Sequence, residues 1–247
     1  MSDTRNSAPI PILMYHSICV PPQDEVMRSI HVKPRSFANQ MWILHKLGYT
    51  GLSMTELEPY LRGETTGKVV GITFDDGYKN NLTQAAPLLA RYNFRATCYV
   101  VSSAIGRDNF WDRNVGIPSN AIMNEAELRA WSALGLEIGC HTVTHQDLTL
   151  LDYNEQKHEL EKSRLVLEGI LDKGVRQFCY PYGRYTEQST NLLRELGFKT
   201  ATTMNRGRVM EKESMLTLPR IPITFHTHPH LFIIKLLTKY EDARRNS

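Results

Sequence analysis

The chain has 247 residues, of which 41% are hydrophobic and 22% charged, a balance typical of a globular protein and not of a disordered chain. Its formal net charge is only +3, with Lys and Arg scattered along the sequence, so nucleic acid is not an expected partner. No segment has the length or apolar character of a membrane span, and the N-terminal stretch lacks the apolar core of a secretory signal. Because the four cysteines are also widely spaced, without a Cys-x-x-Cys pair, the expected location is the cytoplasm.

Apolar periodicity and turn residues predict strands alternating with helices along a single domain, residues 1–247. The predicted strands are at 10–15, 69–74, 96–101, 136–140, 177–180, 200–203 and 218–223. The predicted helices are at 36–47, from 53, at 82–89, from 124, at 152–171, at 187–196 and in a tail at 231–240, and two long loops are predicted at 19–35 and 102–123. Pro87 should kink or shorten the helix at 82–89. This order predicts a parallel sheet, either closed as a barrel or open and doubly wound.

The apolar run 69–74 ends in two adjacent carboxylates, Asp75 and Asp76, followed by Gly77. Ligands and catalytic groups collect at the carboxyl ends of parallel strands, because the loops there converge over a packed core. Since neighbouring side chains cannot point at one spot, two roles are expected, for example one on a metal and one on a proton. The alternative is that both aspartates cap the following helix.

Other titratable groups follow other predicted strands. His16 follows the first strand, while His141 and His145 follow the strand at 136–140. Two imidazoles and one carboxylate are a common ligand set for a catalytic divalent metal. Strand ends so distant in sequence share one mouth in a barrel, which favours the closed arrangement. Such a site would also need an acid for the leaving group and an oxyanion donor, which a third histidine and a backbone N–H in the turn 181–183 could supply.

Three segments resemble, in order, the motifs of the polysaccharide deacetylase family: Thr73-Phe-Asp-Asp-Gly77, His141-Thr-Val-Thr-His145 and Tyr180-Pro-Tyr-Gly183. The resemblance implies a distorted (β/α)7 barrel with its core motifs in residues 68–225 and with residues 8–35 completing the site. It further implies the following roles: a divalent ion, Zn²⁺ or else Co²⁺ or Ni²⁺, on Asp76, His141 and His145; Asp75 as the catalytic base; and the Tyr182 amide as the oxyanion donor.

The opening Leu13-Met-Tyr-His16 resembles the branch of this family that de-N-acetylates poly-N-acetylglucosamine, with its acid histidine near the N-terminus. His16 is therefore the expected general acid, and His226, after the last strand, is its competitor. The chain departs from the family at Cys179, where the third motif usually has an arginine that partners the base. Arg220 is the expected substitute.

The expected activity is metal-dependent removal of an N-acyl group, most simply acetyl, from an amino sugar in a polysaccharide, an oligosaccharide or a glycan precursor. The expected partner is thus a carbohydrate that carries N-acetyl groups. Two alternatives remain open: a deformylase or O-acetyl esterase that uses the same site, and a non-catalytic carbohydrate-binding homologue.

Overall fold

The computed structural model describes residues 8–22, 27–115 and 117–245; residues 1–7 and the part 23–26 of the predicted loop lie outside this description. The strands of the described part are β1 (Ile12–Tyr15), β2 (Thr50–Leu52), β3 (Val69–Phe74), β4 (Thr97–Val100), β5 (Glu137–Cys140), β6 (Gln177–Cys179), β7 (Thr200–Arg206) and β8 (Leu218–Pro222). Its α-helices are α1 (Pro34–Lys46), α2 (Met54–Leu61), α3 (Ala86–Arg91), α4 (Glu125–Ala133), α5 (Tyr153–Leu171), α6 (Glu187–Glu195) and α7 (Pro229–Leu237).

Seven of these strands close into a parallel barrel in the order β1, β3, β4, β5, β6, β7, β8. The closing strand is β1, which pairs with β3 on one side and with β8 on the other. β2 pairs with the first half of β3 and lies beside the ring. The predicted distorted (β/α)7 barrel is therefore confirmed, and its closure places the ends of β1, β3 and β8 next to one another.

Side chains alternate across the barrel wall and pack into two main clusters. Along β1, Leu13 belongs to a large cluster that also contains helix residues such as Phe37 and Trp131, whereas Ile12 belongs to a smaller one with Tyr99 and other residues from several strands. Because successive strand residues point to opposite faces, the large cluster fills the space between wall and helices, and the small one fills the barrel interior.

The strand β2 is absent from the sequence-based prediction. It is only three residues long and contains Gly51, so it lacks the apolar run that predicts a buried strand. The glycine is required by packing, since a Cβ at this position would lie 2.7 Å from side-chain atoms of both Ile72 and Phe94. Pro87 lies in the first turn of α3, which directly follows the π-helical turn Asn81–Ala85, so the helical geometry changes beside this proline.

The C-terminal segment is held to the barrel by a buried ion-pair group. The Glu241 side chain is fully buried and lies 2.6 Å from Arg206 Nε and 2.7 Å from Lys235 Nζ. Burial alone would raise the pKa of Glu241, but the hydrogen bond from Arg206 and the ion pair with Lys235 outweigh it and lower this pKa below its ordinary value. The carboxylate therefore stabilises the folded chain in its ionised form.

Candidate active site

The turn after β3 separates the two aspartates. Asp75 keeps the register of the sheet, and its N–H donates to the Tyr15 carbonyl on β1 at 2.9 Å. Asp76 has a left-handed backbone with φ 73°, and Gly77 follows with φ 86°. Both carboxylates are nearly fully buried, at 3% and 5% exposure. Because the chain twists between them, the two side chains reach different neighbours.

Asp76 faces the two histidines of the loop after β5. Its Oδ1 atom lies 3.4 Å from His141 Nε2 and 3.5 Å from His145 Nε2, and the three ligand atoms lie within 4.8 Å of one another. In a tetrahedral zinc site with bonds of about 2.0–2.2 Å, neighbouring ligand atoms are roughly 3.3–3.6 Å apart. The two distances from Asp76 therefore match the spacing that a small divalent cation requires.

The surroundings of the two imidazoles orient them toward Asp76. His141 Nδ1 lies 2.7 Å from the Cys179 carbonyl, a contact that leaves Nε2 free to face the site. The His145 ring is held between aromatic groups, with Trp111 stacked at 4.7 Å and Tyr182 edge-on at 4.8 Å. His145 Nδ1 is buried and has no hydrogen-bond partner among the described residues. Aromatic packing thus fixes His145 where a hydrogen bond fixes His141.

The electrostatics of this group suit a positive ion. Burial would raise the pKa of Asp76, but the hydrogen bond with His141 and the charges of the nearby histidines lower it well below its usual range. Burial and the charge on His141 lower the pKa of His145 to about 3, so this imidazole is neutral and can donate a lone pair. Burial opposes a charge on His141, yet Cys179 and Asp76 raise the pKa of His141 above its usual range. The pocket therefore stabilises one positive charge between its ligands, and these residues fit a divalent cation.

Asp75 points instead to Arg220 on β8. The guanidinium is fully buried and donates to both carboxylate oxygens, from Nη1 to Oδ1 at 2.7 Å and from Nη2 to Oδ2 at 2.8 Å. It also donates to the Thr203 carbonyl and lies 3.2 Å from Cys179 Sγ. Burial raises the pKa of Asp75, but the charge and hydrogen bonds of Arg220 outweigh it and lower this pKa. Asp75 is therefore held as an oriented carboxylate.

His16 comes from the end of β1. Its Nε2 atom lies 3.8 Å from Asp75 Oδ2, its side chain is 21% exposed, and its carbonyl accepts a hydrogen bond from Asn81 Nδ2 at 2.8 Å. His16 lines the same cavity as Asp75 and Asp76. His226 is exposed and is not among the described residues that line this cavity. The structure thus brings His16, and not His226, to the two aspartates.

The turn after β6 brings Tyr182 to the rim. Its backbone is left-handed with φ 56°, and the residue is 47% exposed. The next residue must be glycine, because Gly183 has φ 67° and a Cβ there would lie 2.3 Å from the Met204 backbone nitrogen. This close approach fixes the turn against the end of β7 and so fixes the direction of the Tyr182 N–H.

These groups surround a cavity of about 340 Å³ at the mouth of the barrel. Its wall includes residues that the sequence did not single out as site residues: Met27, Ile30, Asp112, Ile117, Tyr180 and Met204. Most of them belong to the loops 19–35 and 102–123. The length of these loops was the available signal, because long loops without periodic structure commonly shape sites. Trp111, in the second loop, packs against a third apolar cluster, formed by Tyr78, Val101, Ala104 and Ile122, and also lines the cavity.

The family profile described as polysaccharide deacetylase matches residues 62–201, which is more than half of the chain. The chain therefore belongs to the polysaccharide deacetylase family, and it is a hydrolase acting on carbon–nitrogen bonds other than peptide bonds.

Individual relatives cover most of the chain. The chain is 28% identical over 223 residues to YxkH of Bacillus subtilis (strain 168), which covers 90% of this chain and 74% of YxkH. It is 24% identical over 217 residues to the poly-beta-1,6-N-acetyl-D-glucosamine N-deacetylase of Staphylococcus aureus (strain MRSA252), covering 83% of this chain and 72% of that protein. The fold matches the Streptococcus pyogenes deacetylase PplD in complex with acetate, with TM-score 0.81, 27% identity, and coverage of 93% and 99% of the two chains.

Among the described residues, no helix is both long enough and apolar enough to span a membrane.

Proposed function

We propose that the protein hydrolyses an N-acyl group, most simply N-acetyl, from an amino sugar within an oligosaccharide or polysaccharide. The observation that supports this proposal is that one cavity contains both the cation ligand set and Asp75, a second carboxylate whose two oxygens accept hydrogen bonds from Arg220. A site with a separate ligand carboxylate and base carboxylate suits hydrolysis of an unactivated amide. The intact set also argues against a non-catalytic homologue.

Each step is assigned to a residue of this chain. Asp75 accepts a proton from a water molecule while the oxygen of that water adds to the acyl carbon. The Tyr182 N–H donates a hydrogen bond to the acyl oxygen, which becomes negative in this step. His16 in its protonated form donates a proton to the sugar nitrogen as the carbon–nitrogen bond breaks, which yields a carboxylic acid and a free amine. Asp76, His141 and His145 would hold a divalent ion, Zn²⁺ or else Co²⁺ or Ni²⁺, whose chemistry is to polarise the acyl oxygen and acidify water.

The shape of the site favours a substrate longer than one sugar. A second, open groove of about 800 Å³ shares Trp111, His145 and Tyr182 with the catalytic cavity and continues past Leu150 and Arg184. The catalytic cavity, at about 340 Å³, lies near the small end of the range for ligand sites, so it holds little more than the reacting ring. The groove would receive neighbouring sugars. Two relatives support this class of substrate, since one is named for poly-N-acetylglucosamine and the other was solved with acetate.

The test is acid release from a substrate panel by metal-loaded protein. N-acetylglucosamine monomer, its oligomers, an N-formyl analogue and an O-acetyl sugar are compared, with Asp75→Asn as the matched control. We expect kcat/KM for acetate release to rise from monomer to oligomer, and the control to lose activity. Preference for the O-acetyl or N-formyl substrate would contradict the proposal, and activity toward none of them would refute it.

A further inference from the structure

The loop that carries His141 and His145 has a strained backbone. Thr142 has φ 65° and His145 has φ 61°, and neither residue is glycine. A non-glycine residue in this region is strained and persists only where its surroundings fix it. The ligand geometry at Asp76 therefore depends on whatever holds this short loop in place.

The two N–H groups at the centre of the loop are held by a carboxylate from a helix. Glu159 on α5 is 5% exposed, and its Oε2 accepts from Val143 N–H at 2.8 Å and from Thr144 N–H at 2.9 Å. Its Oε1 accepts from Thr144 Oγ1 at 2.8 Å. Consecutive N–H groups aimed at one anion form a backbone nest, and hydrogen bonds to an ionised carboxylate are stronger than neutral ones.

The rest of the loop is held from the opposite side. The Thr142 carbonyl accepts from Ser102 N–H at 3.1 Å, and the Val143 carbonyl accepts from Ser103 N–H at 3.0 Å. Thr142 Oγ1 accepts from His145 N–H at 3.0 Å. The segment after β4 thus binds the carbonyl groups and Glu159 binds the N–H groups, so the loop is clamped between the two.

We propose that Glu159 is a positioning residue for the cation site: its carboxylate holds the backbone of residues 142–145 so that both imidazoles meet Asp76. The inference rests on the proposed function only through the assignment of His141 and His145 as ligands. Glu159 acts through the loop and does not contact the substrate, so its effect appears in cation affinity and in the geometry of the bound ion. Partners of this kind, when removed, typically reduce metal affinity 10–100-fold.

Four variants separate this role from a general contribution to stability. Glu159→Ala removes all three contacts, and Glu159→Gln keeps an oxygen that can accept both backbone N–H groups. Thr144→Val removes only the hydroxyl bond. Glu161→Gln is the matched control, because this residue is half-buried on the same helix and points away from Glu159. Each protein, stripped with a chelator, is titrated with Zn²⁺ by calorimetry and with Co²⁺ by visible absorption.

We expect Glu159→Ala to weaken Zn²⁺ binding about 10–100-fold and to alter the Co²⁺ spectrum. Glu159→Gln should regain most of this affinity, Thr144→Val should lose about 2–10-fold, as one hydrogen bond predicts, and the control should match the wild type. Wild-type affinity and spectrum in folded Glu159→Ala would overturn the inference. If that variant does not fold, wild-type affinity in Thr144→Val would overturn it. No metal uptake by the wild type would overturn the cation site as well, and so also the proposed function.

Discussion

Replacing Arg220 by methionine should test how far the buried pair with Asp75 supports the site. Methionine keeps the aliphatic length of the side chain but removes the charge and all donors. Asp75, at 3% exposure, would then stay buried without the two hydrogen bonds of 2.7 and 2.8 Å that it now accepts. Removing one partner of a buried ion pair costs about 3–5 kcal/mol, because the remaining charge is left uncompensated. For a chain of this size the melting temperature should fall by roughly 6–20 °C.

The assay is urea unfolding at neutral pH, followed by circular dichroism, on five proteins: wild type, Arg220→Met, Arg220→Lys, Asp75→Asn and the double variant of Arg220→Met with Asp75→Asn. If the pair is the cause, the double variant should be less destabilised than the sum of the single variants, by about 1–3 kcal/mol. Arg220→Lys should be intermediate, since an ammonium keeps the charge but cannot supply the parallel fork. A loss below about 1 kcal/mol in Arg220→Met, or additive single effects, would refute the reasoning.

Three further outcomes are expected. Asp75→Asn should keep the cation and lose roughly 10²–10⁴ in turnover, whereas Asp76→Asn should lose the cation too; metal analysis beside kcat decides, and equal metal content in both contradicts the assignment. His16→Ala should lose far more activity on an amide than on an activated ester, because only the amide needs a protonated leaving group; the same selective loss in the control His226→Ala would reverse the assignment. Glu241→Gln should destabilise the protein at pH 7. The difference in stability between this variant and the wild type should shrink as pH falls below about 4.3, the pKa of Glu in the unfolded chain, because the folded-state pKa of Glu241 is lower and its stabilising carboxylate is lost as it becomes protonated. Equal differences in urea midpoint at pH 7 and pH 3.5 would contradict the ion-pair argument.

The barrel could be predicted because its strands are buried on both faces. The run 69–74 is mostly apolar, and the structure has β3 over the same residues with every position buried. β2 could not be predicted, because its three residues carry no period and its pairing depends on the close approach of Gly51 to neighbouring side chains. The apolar composition of the barrel strands was thus enough to predict them, whereas the short strand β2 forms because of tertiary packing.

The site divides in the same way. Asp75, Asp76 and His141 follow predicted strands directly, and His145 lies four residues after His141, so their gathering at one mouth follows from strand order. Asp112 and Ile117 line the same cavity, but nothing in their local sequence marks them as site residues. Side chains on long loops are placed by contacts with other loops, which single-chain periodicity does not encode.

The arginine that pairs with Asp75 comes from β8 and not from the third motif, where this chain has Cys179. Which residue can pair with Asp75 therefore depends on its place in the barrel more than on its place in a motif. In the family pattern that this chain resembles, an arginine at the place of Cys179 would reach the base from β6. Here the small thiol lies 3.2 Å from the guanidinium of Arg220, which reaches Asp75 from β8. Because β1 joins β3 to β8 and closes the ring, side chains that point inward from β6 and from β8 converge on the same carboxylate. The charge partner of Asp75 can therefore move to another strand while Asp75 stays in place, and the same closure brings His16, from the end of the first strand, to 3.8 Å from Asp75.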